Sequence, residues 1–299
     1  MTSDTVTGFA KSYIISSSGA LAELSLGLPL DRIKLSKQSG VSVKWLSPSG
    51  HGGWFGMARY WYAGNIPSII QRCGIYLPAI QFSNALYNKL VYPRIGSKSI
   101  ATSELVIKPI ILSGLVTPYV SLFEGLKTAQ QHGVRRVYPE YVTRYLAKQS
   151  GPETMTSILR AVNTARAPGL LFAGVMPTWG REFFFIGGMC VVQPLVSNTL
   201  NQFIPQLALA YSTVPVTVCG SLIASLVCQT ASQPLDVLKT RCEIRPGIPL
   251  SGQVSELWHM CKSVGFRKTL YSGWLPRVTR GVWTFTCMRL VTDYLHRTL

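Results

Sequence analysis

Acidic side chains are scarce in this chain: 12 Asp and Glu stand against 29 Lys and Arg in 299 residues. Charge of either sign is thin, at 14% of residues, where an ordinary soluble domain carries about a quarter. One stretch lacks it altogether. From Phe183 to Leu235, 53 residues (235 − 183 + 1), there is no Asp, Glu, Lys or Arg. Such a run excludes an ordinary solvated surface and far exceeds the roughly 20 apolar residues of one membrane span. Residues 198–205 interrupt it with polar and turn-forming side chains, so two spans joined by a short loop are expected. The 47% hydrophobic content and the mean hydropathy of +0.24 agree.

Other absences narrow the function. The seven cysteines are odd in number and form no CxxC, which argues against a disulfide framework or a metal site; His259 and Cys261 read as an ordinary helix surface. There is no Walker-type phosphate loop and no nucleophile–base constellation, so neither an enzyme nor a cofactor is expected. The first residues carry no basic segment followed by an apolar one and no Arg-rich leader, so internal targeting is expected. The net charge of +17 comes without zinc-finger spacing or basic runs interleaved with aromatics. Much of it lies between apolar segments, as in Arg135, Arg136, Arg144 and Lys148. That pattern suits anionic head groups beside membrane spans better than nucleic acid.

What is present is a pattern repeated three times. Pro29-Leu-Asp31-Arg-Ile-Lys34 and Pro234-Leu-Asp236-Val-Leu-Lys239 share Pro-x-Asp-x-x-Lys. A third copy, Leu122-Phe-Glu124-Gly-Leu-Lys127, has Leu in place of Pro. Downstream of each copy comes an aromatic-x-Gly-x-x-Pro element: Tyr62 to Pro67, Phe172 to Pro177, and Tyr271 to Pro276. Two markers in the same order predict three homologous units of about a hundred residues, repeat 1 about 9–97, repeat 2 about 102–200 and repeat 3 about 206–297, in one domain over 1–299. Each unit reads as two apolar helices joined by a polar segment: 9–37 and 66–92, 104–131 and 177–199, 207–241 and 275–297. Amphipathic helices are expected at 52–60, 153–164 and 253–263. Ser16 to Ala20, Ser113-Gly114, and Gly220-Ser221 with Ala224-Ser225 supply small residues for close helix approach.

Asp and Lys three apart share a helix face and can pair locally or with a neighbouring helix. Three acids and three bases around an axis would close one end of a central cavity. Ionisable groups at membrane depth are costly unless paired, and functional by default.

These residues closely resemble the mitochondrial carrier family, whose signature is Pro-x-[Asp/Glu]-x-x-[Lys/Arg] on each odd helix of three two-helix repeats, over roughly residues 10–297. The resemblance implies an all-α membrane protein of six transmembrane helices with pseudo-threefold symmetry, short matrix-side helices, and alternating access in the mitochondrial inner membrane. It implies a matrix salt-bridge network of Asp31, Lys34, Glu124, Lys127, Asp236 and Lys239, braced at Gln38, Gln131 and, where the family has glutamine, Glu243. Substrate contacts fall on Gln71 with Arg72, Arg181 with Glu182, and Arg280, with Glu23 a further cavity position. An Arg–acid pair at the second contact resembles carriers of amino acids. The glycines Gly64, Gly174 and Gly273 resemble cardiolipin sites, where helix-start N–H groups meet lipid phosphate. The cytoplasmic network departs from the family: its positions fall on Asn84 and Tyr87, Pro194 and Ser197, and Asp293 and His296, and only Asp293 fits. The expected function is exchange of a small anionic or zwitterionic metabolite, with anionic lipids and a small-molecule substrate as partners. The alternative is a carrier-fold structural protein, a subunit of a respiratory-chain complex or a membrane scaffold.

Overall fold

A computed structural model of the chain describes residues 3–39, 53–62, 65–76, 89, 100–132, 134–147, 154–203 and 214–298. Among them there is no strand. The helices are α1 (Ser3–Ser39), α2 (Trp54–Trp61), α3 (Asn65–Ile69, continued by a π-helical stretch Ile70–Tyr76), α4 (Ile100–His132), α5 (Val134–Val137), α6 (Glu140–Ala147) and α7 (Met155–Thr164). After a 3-10 turn at Pro168–Phe172 come α8 (Val175–Gly187), a π-helical stretch Gly188–Val192 and α9 (Gln193–Phe203). The chain closes with α10 (Val214–Ile244), α11 (Leu250–Val264), α12 (Phe266–Leu270) and α13 (Trp274–Thr298).

Among the described residues, three segments are long and apolar enough to cross a membrane: Ile107–His132, Pro168–Phe203 and Val214–Ile244. Their sidedness supports this. On α10 the buried face is Thr217, Gly220, Ser221, Ala224, Ser225, Cys228 and Gln229, while Val218, Leu222, Ile223, Leu226 and Val227 lie exposed. Small and polar residues inside with large apolar ones outside is the reverse of a soluble helix, and it is what packing in lipid requires. Ser225 Oγ donates to Val278 O at 2.9 Å, and a Cβ on Gly281 would meet the Ser225 Oγ at 2.3 Å. Here α10 and α13 touch almost backbone to backbone.

The packing order closes on itself. Helix α1 packs on α13, α13 on α10, α10 on α8, α8 on α4, α4 on α3 with its π-helical continuation, and those on α1. Over the described residues the expected helices fall within a few residues of those found; residues 77–88, 90–92 and 204–213 lie outside the described residues. The amphipathic expectations correspond to α2, α7 and α11. Helices α5 and α6 were not anticipated. Their signal is local: the Pro139 carbonyl accepts from Val142 N at 3.0 Å, Glu140 and Arg144 pair at 3.0 Å one turn apart, and Val142 and Leu146 turn inward. With α7 and the end of α4 they form a soluble-like core around Leu126, Val142, Ile158, Ala161 and Val162.

Prolines stand inside three long helices: Pro29 in α1, Pro109 and Pro118 in α4, and Pro234 in α10. The middle unit thus has a proline after all, four positions earlier than Leu122 (122 − 118). A helical proline leaves the carbonyl four residues back without its donor. For Pro29 that carbonyl is Ser25 O, and Tyr62 Oη donates to it at 3.0 Å.

Candidate functional site

The signature acids and lysines sit near the C-terminal ends of α1, α4 and α10, and all six side chains are buried. They do not pair within their own motif. Lys34 Nζ lies 2.9 Å and 3.1 Å from the two oxygens of Asp236. Lys239 Nζ lies 2.5 Å from Glu124, and Lys127 pairs with Asp31. Unit 1 holds unit 3, unit 3 holds unit 2 and unit 2 holds unit 1, a closed circuit. In low dielectric each such pair is strong only where hydrogen bonds satisfy what remains of both partners.

The expected braces supply some of these. Gln38 Nε2 donates to Asp236 at 3.0 Å and its carbonyl accepts from Thr240 Oγ1 at 2.8 Å. Glu243 lies 3.0 Å from Lys239 and accepts from Thr128 Oγ1 at 2.8 Å. Gln131 is buried and lines a small cavity with Asp31, Lys127 and Glu243. Outside the spans, Tyr138 is buried, and burial, with the nearby Glu243 carboxylate second, pushes its phenol well above the usual range.

Above the ring, on its side toward the N-terminal halves of α1 and α10, lies a cavity enclosing about 460 Å³, space open to solvent included. All five expected contact residues line it: Gln71, Arg72, Arg181, Glu182 and Arg280. The arginines also reach the ring. Arg181 Nη1 lies 2.8 Å from Glu124 and 3.6 Å from Asp236, and Arg181 also pairs with its neighbour Glu182. Arg280 pairs with Asp31 and lies 3.4 Å from Glu23, which also approaches Arg72 at 3.8 Å. Every ring acid therefore has a second cation from the cavity wall.

Sequence comparison missed Arg277. It is buried, lies 3.9 Å from Asp236, and donates to Ser232 Oγ at 2.7 Å and Gln233 Oε1 at 3.1 Å. The residues after the other two repeat prolines are Ser68 and Thr178, so alignment of the units offered no basic counterpart. The available signal was an arginine next to a motif proline, three positions before the expected contact Arg280.

Gly174 (φ 82°) and Gly273 (φ 73°) are left-handed at the starts of α8 and α13. A Cβ on Gly174 would meet Cys242 Cβ at 3.1 Å and Lys239 O at 3.3 Å; on Gly273 it would meet Lys34 O at 3.1 Å. Each glycine thus abuts a ring lysine of the next unit. Gly64 lies outside the described residues, as do Asn84 and Tyr87. Asp293 and His296 fall within α13, and their side chains are not among those described. Pro194 and Ser197 are half-buried on α9.

No curated protein matches the chain. Residues 211–299, the third unit with its half of the Lys34–Asp236 and Lys239–Glu124 pairs, match the family model described as Mitochondrial carrier protein, which supports membership of the chain in the mitochondrial carrier family.

Proposed function

We propose that the chain is a solute carrier of the mitochondrial inner membrane that exchanges a small anionic or zwitterionic metabolite, an amino acid or a carboxylate, by alternating access, without covalent chemistry. In this reading six helices span the membrane as three two-helix repeats around a pseudo-threefold axis. The single observation that carries it is the circuit of three inter-unit ion pairs beneath a cavity whose arginines share the same acids. The circuit acts as the closed matrix gate, and the cavity opens to the other side.

The shared acids couple binding to opening. A carboxylate bound by Arg181 and Arg280 competes with Glu124, Asp236 and Asp31 for those cations. Asp31 and Glu124 then keep only their lysines and Asp236 its lysine and Arg277, and the attachment of α8 and α13 to the ends of α4, α10 and α1 weakens. Substrate shifts the population by its differential affinity for the two arrangements. We assign the starts of α8 and α13, beside the positive-φ glycines, to phosphates of anionic lipid such as cardiolipin, the group that the first turn of a helix favours.

Reconstitution into liposomes with a panel of amino acids, carboxylates and nucleotides tests the reading. Uptake that is lost in Arg181→Ala and in Arg280→Ala is expected. No exchange of any class, with co-purification in a large respiratory-chain assembly, would replace it by the structural-subunit alternative.

A further inference from the structure

Glu23 lies on α1, eight positions before the ring acid Asp31 (31 − 23), and is 1% exposed. Its Oε1 accepts from Thr284 Oγ1 at 3.0 Å and lies 3.4 Å from both Nε and Nη2 of Arg280. Arg72 approaches Oε2 at 3.8 Å from α3's π-helical continuation. The side chain reaches this position by folding back along its own helix. A Cβ on Gly27, one turn on, would stand 2.7 Å from Oε1, so a side chain at residue 27 would shift the carboxylate from this position. Trp283 Nε1 donates to the Glu23 carbonyl at 3.1 Å and fixes α1 against α13 at this level. The carboxylate is therefore held in place by three helical segments, in a smaller hollow beside the main cavity that shares Arg72, Phe185 and Thr284 with it.

We propose that Glu23 and Arg280 form a specificity-determining pair that selects a small zwitterion, such as an α-amino acid, and rejects dicarboxylates; this rests on the carrier reading above. When such a substrate enters, its carboxylate takes the Arg280 guanidinium and its ammonium takes Glu23. Two buried charges exchange partners and neither is left alone. A monocarboxylate takes Arg280 and gives Glu23 nothing in return. A dicarboxylate does the same and also brings a second negative charge toward Glu23, a repulsive element of the kind that sets specificity.

The test uses the full-length protein, with uptake into proteoliposomes and thermal stabilisation in detergent as two readouts. The probes are alanine and serine against pyruvate and succinate. Alanine and serine are expected to act on the unmodified protein at concentrations about tenfold below those needed for succinate. Glu23→Gln keeps a hydrogen-bonding head but removes the charge. It should weaken the amino-acid response by roughly thirtyfold or more, the scale of losing one partner of a buried charge pair, and raise the succinate response. Gly27→Ala keeps every charge while pushing the carboxylate off Arg280, and should move selectivity the same way; it decides the matter if Glu23→Gln does not fold. An amino-acid to succinate ratio unchanged by both variants, or a preference of the unmodified protein for succinate, overturns the pair's role while leaving a carrier. No uptake and no stabilisation by any probe overturns the carrier reading, and this inference with it.

Discussion

At the scale of single residues, geometry assigns distinct work to small groups. Gly174 needs its left-handed φ of 82° and also the space against Cys242 and Lys239. Gly174→Ala is expected to lower stability by about 1–3 kcal/mol, the cost of a strained backbone residue, read as a fall in melting temperature in detergent. Tyr62 acts through its hydroxyl on the carbonyl that Pro29 leaves without a donor. Tyr62→Phe should cost about 1 kcal/mol, and the same substitution in a Pro29→Ala background should cost less, because the helix then satisfies Ser25 O itself. Neither role is visible in composition; the proline was legible, its compensating phenol was not.

At the scale of elements, α10 carries opposite rules on its two faces. Ser225 sits where α10 and α13 nearly touch, so Ser225→Leu should overpack the contact and cost about 1–3 kcal/mol. Leu226→Val, next to it but exposed, should stay within about 0.5 kcal/mol. Thermal unfolding of the two variants in the same detergent checks the contrast, and equal effects would contradict the inward-small, outward-large arrangement. The charge-free apolar run made the helix readable in sequence. Helices α5 and α6 were not readable, because four and eight residues carry too little periodicity and their order comes from packing on α4 and α7.

At the scale of the whole molecule, the ring joins residues 202 positions apart (Lys34 and Asp236) and 96 apart (Lys127 and Asp31). An isolated ion pair survives exchange of its two charges. This circuit should not. In Asp31→Lys with Lys127→Asp the new lysine would face Arg280, which also pairs with Asp31. The double variant is expected to be no more stable than Asp31→Lys alone, by melting temperature and by uptake. Restoration would mean that Arg280 does not share the acid, and the coupling of cavity to ring would fall.

Sequence by itself determined the elements and their chemistry. The charge-free run dictated helices suited to lipid, since only internal hydrogen bonding is tolerated there, and the spacing in Asp31-x-x-Lys34 and its two relatives placed acid and base on one face of each odd helix. It also brought Gln71, Arg72, Arg181, Glu182 and Arg280 to corresponding depths. Only the tertiary structure decided who pairs with whom. Asp31 ignores Lys34 three residues away and takes Lys127 and Arg280 instead, because burial makes pair energy depend on ångström-scale approach between helices, which no spacing along one helix fixes. The same holds for Arg277 and for Glu23 folded over Gly27: the charges are written in the chain, but their partners come from the way the helices close.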